Sequence, residues 1–334
     1  MDDQWNHKMF NAGPENFGGL AMEAFQHQYR QNPVYRSFVD AIGVRPQRVA
    51  GPEGIPFLPI RFFKSHEVKT GAFRAEMVFE SSGTTGMQPS RHYVRDTGLY
   101  RESFCRSFEM FYGPVTGWCM IGLLPSYLER GNSSLVFMVD ELIKRSNQRL
   151  SGFYLDQFEQ LSQTLNELEA NGQKTMVIGV SFALLDFAER FPMPLKHTVL
   201  METGGMKGRR KEMVREELHE VLKSAFGVPA IHSEYGMTEL LSQAYSAGGG
   251  IYHCPPWMRV LLREEEDPLT LKSFPVGNSI ATGAINVIDL ANIHSCCFIA
   301  TDDAGLLYPD GRFEVRGRMD NSDLRGCSLM LVEA

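Results

Sequence analysis

The chain reads as an α/β protein: a mostly parallel sheet flanked by helices, followed by a β-rich part. Two observations predict this. Between about residues 96 and 235 helical and strand patterns alternate, and after Gly248-Gly249-Gly250 the helical periodicity gives way to short apolar runs. Strands that alternate with amphipathic helices build parallel βαβ units, and this rhythm places the helices on the sheet faces.

In chain order, the first 75 residues show one helix near residues 20–31 and a Pro-rich extended stretch around residues 51–63. Residues 75–79 predict a strand. Residues 96–112 and 133–147 predict helices, the second capped by Asn132 or Ser133. Residues 156–171 repeat Phe158, Leu161, Leu165 and Leu168 at helical spacing, and Gly172 is a natural stop. A short buried strand over residues 175–180 precedes a helix over 182–190. A strand over 197–201 precedes an amphipathic helix over 211–226. Beyond a soft boundary near residue 246, residues 258–262, 279–289 and 297–300 suggest strands. The expected division is residues 1–245 as the α/β part and 246–334 as the β-rich part.

Composition excludes several function classes. Of 334 residues, 33 are Lys or Arg and 40 Asp or Glu, a formal charge of −7 that argues against a nucleic-acid scaffold. No basic tract or repeat stands out. The polar N-terminus, Met1 to Asn11, lacks the layout of a signal peptide, and no apolar run approaches membrane-spanning length. The six cysteines (Cys105, Cys119, Cys254, Cys296, Cys297, Cys327) are scattered, which argues against a disulfide framework. The expectation is a cytoplasmic protein with reduced thiols, no membrane span and no nucleic-acid partner.

Three separated segments carry the chemistry. Ser81-Ser82-Gly83-Thr84-Thr85-Gly86 follows the strand over 75–79. Its glycines let backbone N–H groups approach an anion, and the hydroxyls of Ser82, Thr84 and Thr85 can donate to phosphate oxygens. It is not a Walker loop, because the chain has no Gly-Lys-Ser or Gly-Lys-Thr. A polar hairpin is the plain alternative. Glu234-Tyr235-Gly236-Met237-Thr238-Glu239 follows the apolar residues 228–231 and so is expected at a strand end, where ligands gather in open α/β sheets. There Tyr235 could stack on a base, Thr238 donate to a phosphate and Glu239 hold Mg²⁺. The alternative is a strand–helix turn capped by Thr238. Thr301-Asp302-Asp303-Ala304-Gly305 resembles a turn; a carboxylate there could instead chelate two ribose hydroxyls. Arg318, in Gly317-Arg318-Met319-Asp320, is an always-charged donor suited to nucleotide oxygens.

Taken together, over about residues 55–334, these segments resemble the adenylate-forming superfamily of acyl-CoA synthetases, peptide-synthetase adenylation domains and firefly-type luciferases. Residues 55–64 (IPFLPIRFFK), 124–130 (LPSYLER) and 320–328 (DNSDLRGCS) look like the LuxE-type acyl-protein synthetase subunit of bacterial fatty-acid reductase systems. The resemblance implies an adenylate-forming large domain that uses ATP and Mg²⁺ to convert a carboxylic acid, a fatty acid by analogy, into an acyl-adenylate. The acyl group then passes to a thiol. By position, Ser81 to Gly86 would grip the β/γ-phosphates and Thr238 the α-phosphate. Gly204 and Gly205 would flank the adenine beside Tyr235 and Gly236. Glu239 would bind Mg²⁺, Asp303 the ribose, and Arg318 the nucleotide from the other side. On this reading residues 1–245 hold ATP and the acyl group, and residues 246–334 hold the ribose-binding acid and an acyl-accepting tail. An acyl reductase or acyl-carrier protein is the implied partner.

Two departures stand out. Many relatives place a Lys soon after the loop, where this chain has residues 87–92 (MQPSRH), so Arg91 or His92 would supply the positive charge. The small C-terminal domain of the superfamily is expected to be absent. Cys327, in Arg325-Gly326-Cys327-Ser328, matches the cysteine that takes the acyl group as a thioester in acyl-protein synthetases, and Arg325 could favour its thiolate. A buried, inert cysteine is the alternative. Four further readings are open: an acyl-CoA ligase-like enzyme; a zinc site from His253, Cys254, His294, Cys296 and Cys297; a serine hydrolase or acyltransferase using Ser181 in Gly179-Val180-Ser181-Phe182-Ala183, with Asp289 and His294; and a nucleotide-binding partner subunit without catalysis.

Overall fold

The structure, a computed structural model, describes residues 2–81, 88–125, 131–155, 157–204, 213–265, 267, 269–277 and 279–319. The chain divides into two compact units. One holds residues 63–67 and 72–255; the other holds 1–62, 68–71 and 256–334.

The first unit is α/β. Its sheet runs Gly152–Phe153, Cys119–Leu123, Thr175–Gly179, Thr198–Glu202 and His232–Tyr235 in parallel, with Ala244–Ser246 antiparallel at the far edge. Cys119–Leu123 and Thr175–Gly179 are buried at every position, as expected of strands covered on both faces. Among the described residues, five helices of ten or more residues belong to this unit. Asp96 caps Thr97–Tyr112 by accepting the Gly98 amide, and Ser133 caps Ser134–Ser146 by accepting the Val136 amide. Phe158–Ala170 ends at Asn171 and Gly172, the latter at φ +63°. Ser181–Arg190 and Arg215–Phe226 stack Phe187 on Phe226, ring centroids 5.7 Å apart. A separate antiparallel pair, Met77–Glu80 with Arg91–Val94, completes the unit.

The second unit is built on an antiparallel meander, Met258–Arg263, Ala281–Asp289, Phe298–Leu307 and Phe313–Arg318, each strand paired with the next. Leu58–Pro59 adds in parallel to Phe298–Leu307, with Leu58 opposite Ile299. The N-terminal helices Asp2–Phe10, Phe17–Gln31 and Pro33–Ala41 belong to this unit, so residues 1–62 group with the later strands and not with the α/β part that follows them. The physical reason is a buried polar and aromatic seam. Gln28 Nε2 donates to the carbonyls of Asn292 and Ile293 (3.1 and 3.0 Å), and Gln28 Oε1 accepts the Cys297 amide at 2.9 Å. Asn32 Nδ2 donates to the Ser295 carbonyl at 2.9 Å, and Trp5 Nε1 to Leu290 at 3.2 Å. Phe25 and Tyr35 pack on Phe298.

The Tyr-Gly motif sits at a strand end as expected, the strand being His232–Tyr235, just past the apolar residues 228–231. One local expectation is corrected. Thr301, Asp302 and Asp303 do not form a turn; they lie within the ten-residue strand Phe298–Leu307, whose pairing is interrupted there. A ladder interruption reads in sequence like a turn, because both need residues that hydrogen-bond their own backbone.

Among the described residues no helix is long and apolar enough to cross a membrane. Replacing Gln28 with Ala would remove the side-chain partner of the Cys297 amide and of the Ile293 carbonyl. The expected cost is about 2 kcal/mol of stability, read from a lower midpoint in urea denaturation.

Candidate active site

Parallel strands of an open sheet aim their C-terminal ends at one edge, and ligands collect there. In the α/β unit those ends are Leu123, Gly179, Glu202 and Tyr235, so Gly204, Gly236, Thr238 and Glu239 all follow directly from strand ends. After Tyr235 the chain makes a turn, the Leu240 amide donating to the Met237 carbonyl at 3.1 Å; no helix follows for Thr238 to cap. Glu239 is buried, and Thr238 is half-buried.

The antiparallel pair delivers the other predicted segment. Ser81 closes its base: the Ser81 amide donates to the Ser90 carbonyl (3.0 Å), and Ser81 Oγ accepts the Ser90 amide (2.9 Å). Ser82, Gly83, Thr84, Thr85 and Gly86 lie outside the described residues, as do Gly205, Asp320 and Cys327. Arg91 sits opposite Glu80 in the ladder. His92 is 1 % exposed, and its Nδ1 lies 2.8 Å from the Thr238 carbonyl. A carbonyl only accepts, so Nδ1 carries the proton. Of the two residues expected to supply a cation after the loop, His92 instead ties the loop's hairpin to the Thr238 turn, and its ring meets Phe63 edge-on at 6.0 Å.

Gly204 and Gly236 lie against the carboxylates of Glu202 and Glu234, to which the sequence reading gave no role. Gly204 has φ +73°, a left-handed backbone that favours glycine, and its amide donates to Glu202 Oε2 at 2.6 Å. Its carbonyl accepts the Ser181 amide at 3.3 Å. Glu202 is 5 % exposed; Arg215 Nε and His219 Nε2 stand 3.9 and 3.7 Å from its Oε1. Burial works to raise its pKa, but His219, the Gly204 amide, Ser233 and the charge of Arg215 outweigh it and hold the carboxyl below its ordinary range. Glu234 goes the other way. Burial, with the neighbouring charge of Glu202, pushes it up to about 8. Its Oε1 occupies the space a side chain at Gly236 would need. Tyr235 is buried, its ring 5.9 Å from that of Tyr252.

In the other unit, Asp303 and Arg318 are paired in adjacent strands, with Arg318 Nε 3.7 Å from Asp303 Oδ1. The Asp303 side chain is 14 % exposed and that of Arg318 80 %. Arg61 Nε reaches Asp302 Oδ2 at 3.2 Å. Two acids and two guanidinium groups thus share one short stretch of sheet.

The competing readings gain little. Ser181 is buried, and its Oγ donates to Glu202 Oε2 at 3.4 Å, a carboxylate where a hydrolase would place a histidine. Asp289 Oδ1 accepts the Ala291 amide, capping the short turn Leu290–Asn292. Among the described residues no three His, Cys, Asp or Glu side chains gather as a metal set, so His253, Cys254, His294, Cys296 and Cys297 do not assemble a zinc site. Burial pushes the Cys296 thiol up to about 12 and raises that of Cys297 well above its ordinary value, the state of inert core cysteines.

Glu234 yields a pH prediction. The folded chain keeps its proton up to about pH 8, whereas an unfolded chain releases it near 4.5. The native state therefore binds more protons in that interval, and this group's contribution to stability falls as pH rises from 4.5 to 8. Thermal melts between pH 5 and 8.5 should show a decline in wild type that Glu234→Gln flattens.

Comparison with known proteins places these features. The family model described as Acyl-protein synthetase, LuxE matches residues 15–334. A long-chain-fatty-acid–luciferin-component ligase from Vibrio harveyi is 23% identical over 339 residues, covering 94% of this chain and 87% of the relative. Among solved structures, ATP-bound MatB from Rhodopseudomonas palustris superposes with a TM-score of 0.52 at 16% identity, over 72% of this chain. The chain spans about half of MatB, 47% of its length. A 2-hydroxyisobutyryl-CoA ligase in the postadenylation state gives a TM-score of 0.61 at 12% identity, over 92% of this chain and 68% of its own. The likeness to these two structures shows the fold, and the family match over residues 15–334 shows that the chain belongs to the acyl-protein synthetase, LuxE family.

Proposed function

We propose that the protein activates a fatty acid with ATP, forming an acyl-adenylate, and passes the acyl group to a protein thiol. The observation that carries this reading is the hydrogen bond from His92 to the Thr238 carbonyl, which joins the strand Arg91–Val94 to the Thr238–Glu239 turn at the sheet's C-terminal edge. That strand follows the Ser81–Gly86 segment in sequence, in a chain that belongs to the acyl-protein synthetase, LuxE family.

In the first step a carboxylate oxygen of the acid attacks the α-phosphorus of ATP, and the bond to the bridging oxygen of the β-phosphate breaks to release pyrophosphate. The acid is already ionised at neutral pH, so no general base is required. Negative charge builds on the α-phosphate, and fixed donors are the effective catalysts for it. Thr238 takes that role, with Ser82, Thr84 and Thr85 on the β/γ-phosphates. Tyr235, Gly236, Gly204 and Gly205 bound the base, Asp303 takes the ribose hydroxyls and Arg318 the nucleotide's oxygens. In the second step a thiolate attacks the acyl carbon and AMP leaves with the bonding electrons. Cys327 is the assigned acceptor, and an acyl reductase or acyl-carrier protein the onward partner.

A buried carboxylate suits Mg²⁺, which takes one or two protein carboxylates and fills its other positions with phosphate oxygens and water. Glu239 would hold it. Bound there, the ion would neutralise charge on the triphosphate. Cys105, Cys119, Cys296 and Cys297 are thiols outside any disulfide, which goes with a cytoplasmic setting.

The test is acid-dependent exchange of labelled pyrophosphate into ATP across short, long and aromatic acids. Long-chain acids should support exchange; no exchange with any acid would refute adenylation. Glu239→Gln should lower the exchange rate about 100-fold. Cys327→Ser should abolish covalent labelling by an activated acid while leaving exchange intact, and retained labelling would assign the acceptor role elsewhere.

A further inference from the structure

One buried cation lies outside every role assigned so far. Arg263 ends the strand Met258–Arg263 opposite Ala284 and is 5 % exposed. Its guanidinium reaches past the neighbouring strand. Nη1 donates to the Ile285 carbonyl and to Asn286 Oδ1, both at 2.7 Å, and Nη2 donates to the Thr301 carbonyl at 2.6 Å.

These acceptors lie where the ladder is broken. Pairing between Ala281–Asp289 and Phe298–Leu307 runs Ala284 with Ala304 on one side of the break and Asn286 with Ala300 on the other. Ile285 alone therefore faces residues 301–303. Such an excess bends the longer strand, leaves ladder carbonyls over and re-aims the side chains within it. Thr301 Oγ1 helps by donating to the Ile285 carbonyl (2.9 Å) and accepting the Asp303 amide (3.2 Å). Asn286 presents its oxygen to Arg263 although its buried Nδ2 then has no hydrogen-bond partner among the described residues. Burial pulls the Arg263 pKa below its ordinary value, and the charges of Asp302 and Asp303 pull the other way.

We propose that Arg263 is a positioning residue for nucleotide binding: its guanidinium holds the bulged Thr301–Asp303 segment in the shape that lets Asp303 engage the ribose hydroxyls. This rests on the reading of Asp303 as the ribose-binding acid. Lys would bring the charge without the planar fork that three acceptors require, and Gln would bring neither the charge nor the reach.

The experiment is calorimetric titration of the full chain with Mg²⁺-ATP and with Mg²⁺-3′-deoxyATP. Wild type should prefer ATP, and Asp303→Asn should lose the preference. Arg263→Gln is expected to weaken ATP on the order of ten-fold while leaving 3′-deoxyATP nearly unchanged. Arg263→Lys should fall between, and it carries the comparison if Arg263→Gln does not fold. Val287→Ala, which opens a cavity in the same sheet without touching the bulge, should keep the wild-type ratio. A wild type that binds both nucleotides equally removes the ribose reading and this proposal with it. A preserved ratio in the Arg263 variants, beside a lost one in Asp303→Asn, overturns the Arg263 role alone. Loss of the ratio in Val287→Ala also overturns it, because general loosening would then suffice.

Discussion

A backbone polar group that leaves a ladder inside a protein must find another partner. At each place where pairing stops near the candidate site, one side chain answers that requirement. His92 takes the Thr238 carbonyl, Glu202 takes the Gly204 amide, and Arg263 takes the Ile285 and Thr301 carbonyls. Gln28 does the same for the N-terminal helices, matching carbonyls of residues 292 and 293 and the amide of 297. His92, Glu202 and Arg263 are all buried, and each holds backbone beside a segment proposed to meet ATP. Irregular backbone is what lets main-chain groups face a ligand.

Charge is distributed to match. Glu202 and Glu234 approach each other, and their environments drive them apart: Glu202 has the Gly204 amide and Arg215 to favour its ionised form, while Glu234 has burial and a negative neighbour. One negative charge is kept where two carboxyls stand. In the other unit the acids Asp302 and Asp303 are matched by Arg61 and Arg318 on their exposed sides and by Arg263 behind them.

What was legible in the sequence was local. Asp96, Ser133 and Gly172 mark helix ends because capping is decided within three or four residues, and the structure uses all three. The three motifs were legible as a set through their order and the family they resemble. The rest depended on distant pairing. Nothing near Thr301 announces a break in register, since the break is defined against residue 285 on another strand. Arg263 follows an apolar run and reads as a surface residue at a strand end; only the topology turns it inward. The helix Pro33–Ala41, capped by Asn32 accepting the Tyr35 amide, went unread, and which strands it joins is not written locally.

That joining has a consequence for the order in which the chain takes shape during synthesis. The α/β unit, residues 63–67 and 72–255, is complete in sequence well before Phe298–Leu307 is made. The helices Phe17–Gln31 and Pro33–Ala41 emerge before that unit and must wait for that strand. Until then Phe25 and Tyr35 lack Phe298, and Gln28 lacks the backbone it pairs with. On the ribosome these helices are made before the α/β unit and buried after it, and their apolar faces are ones a chaperone would meet.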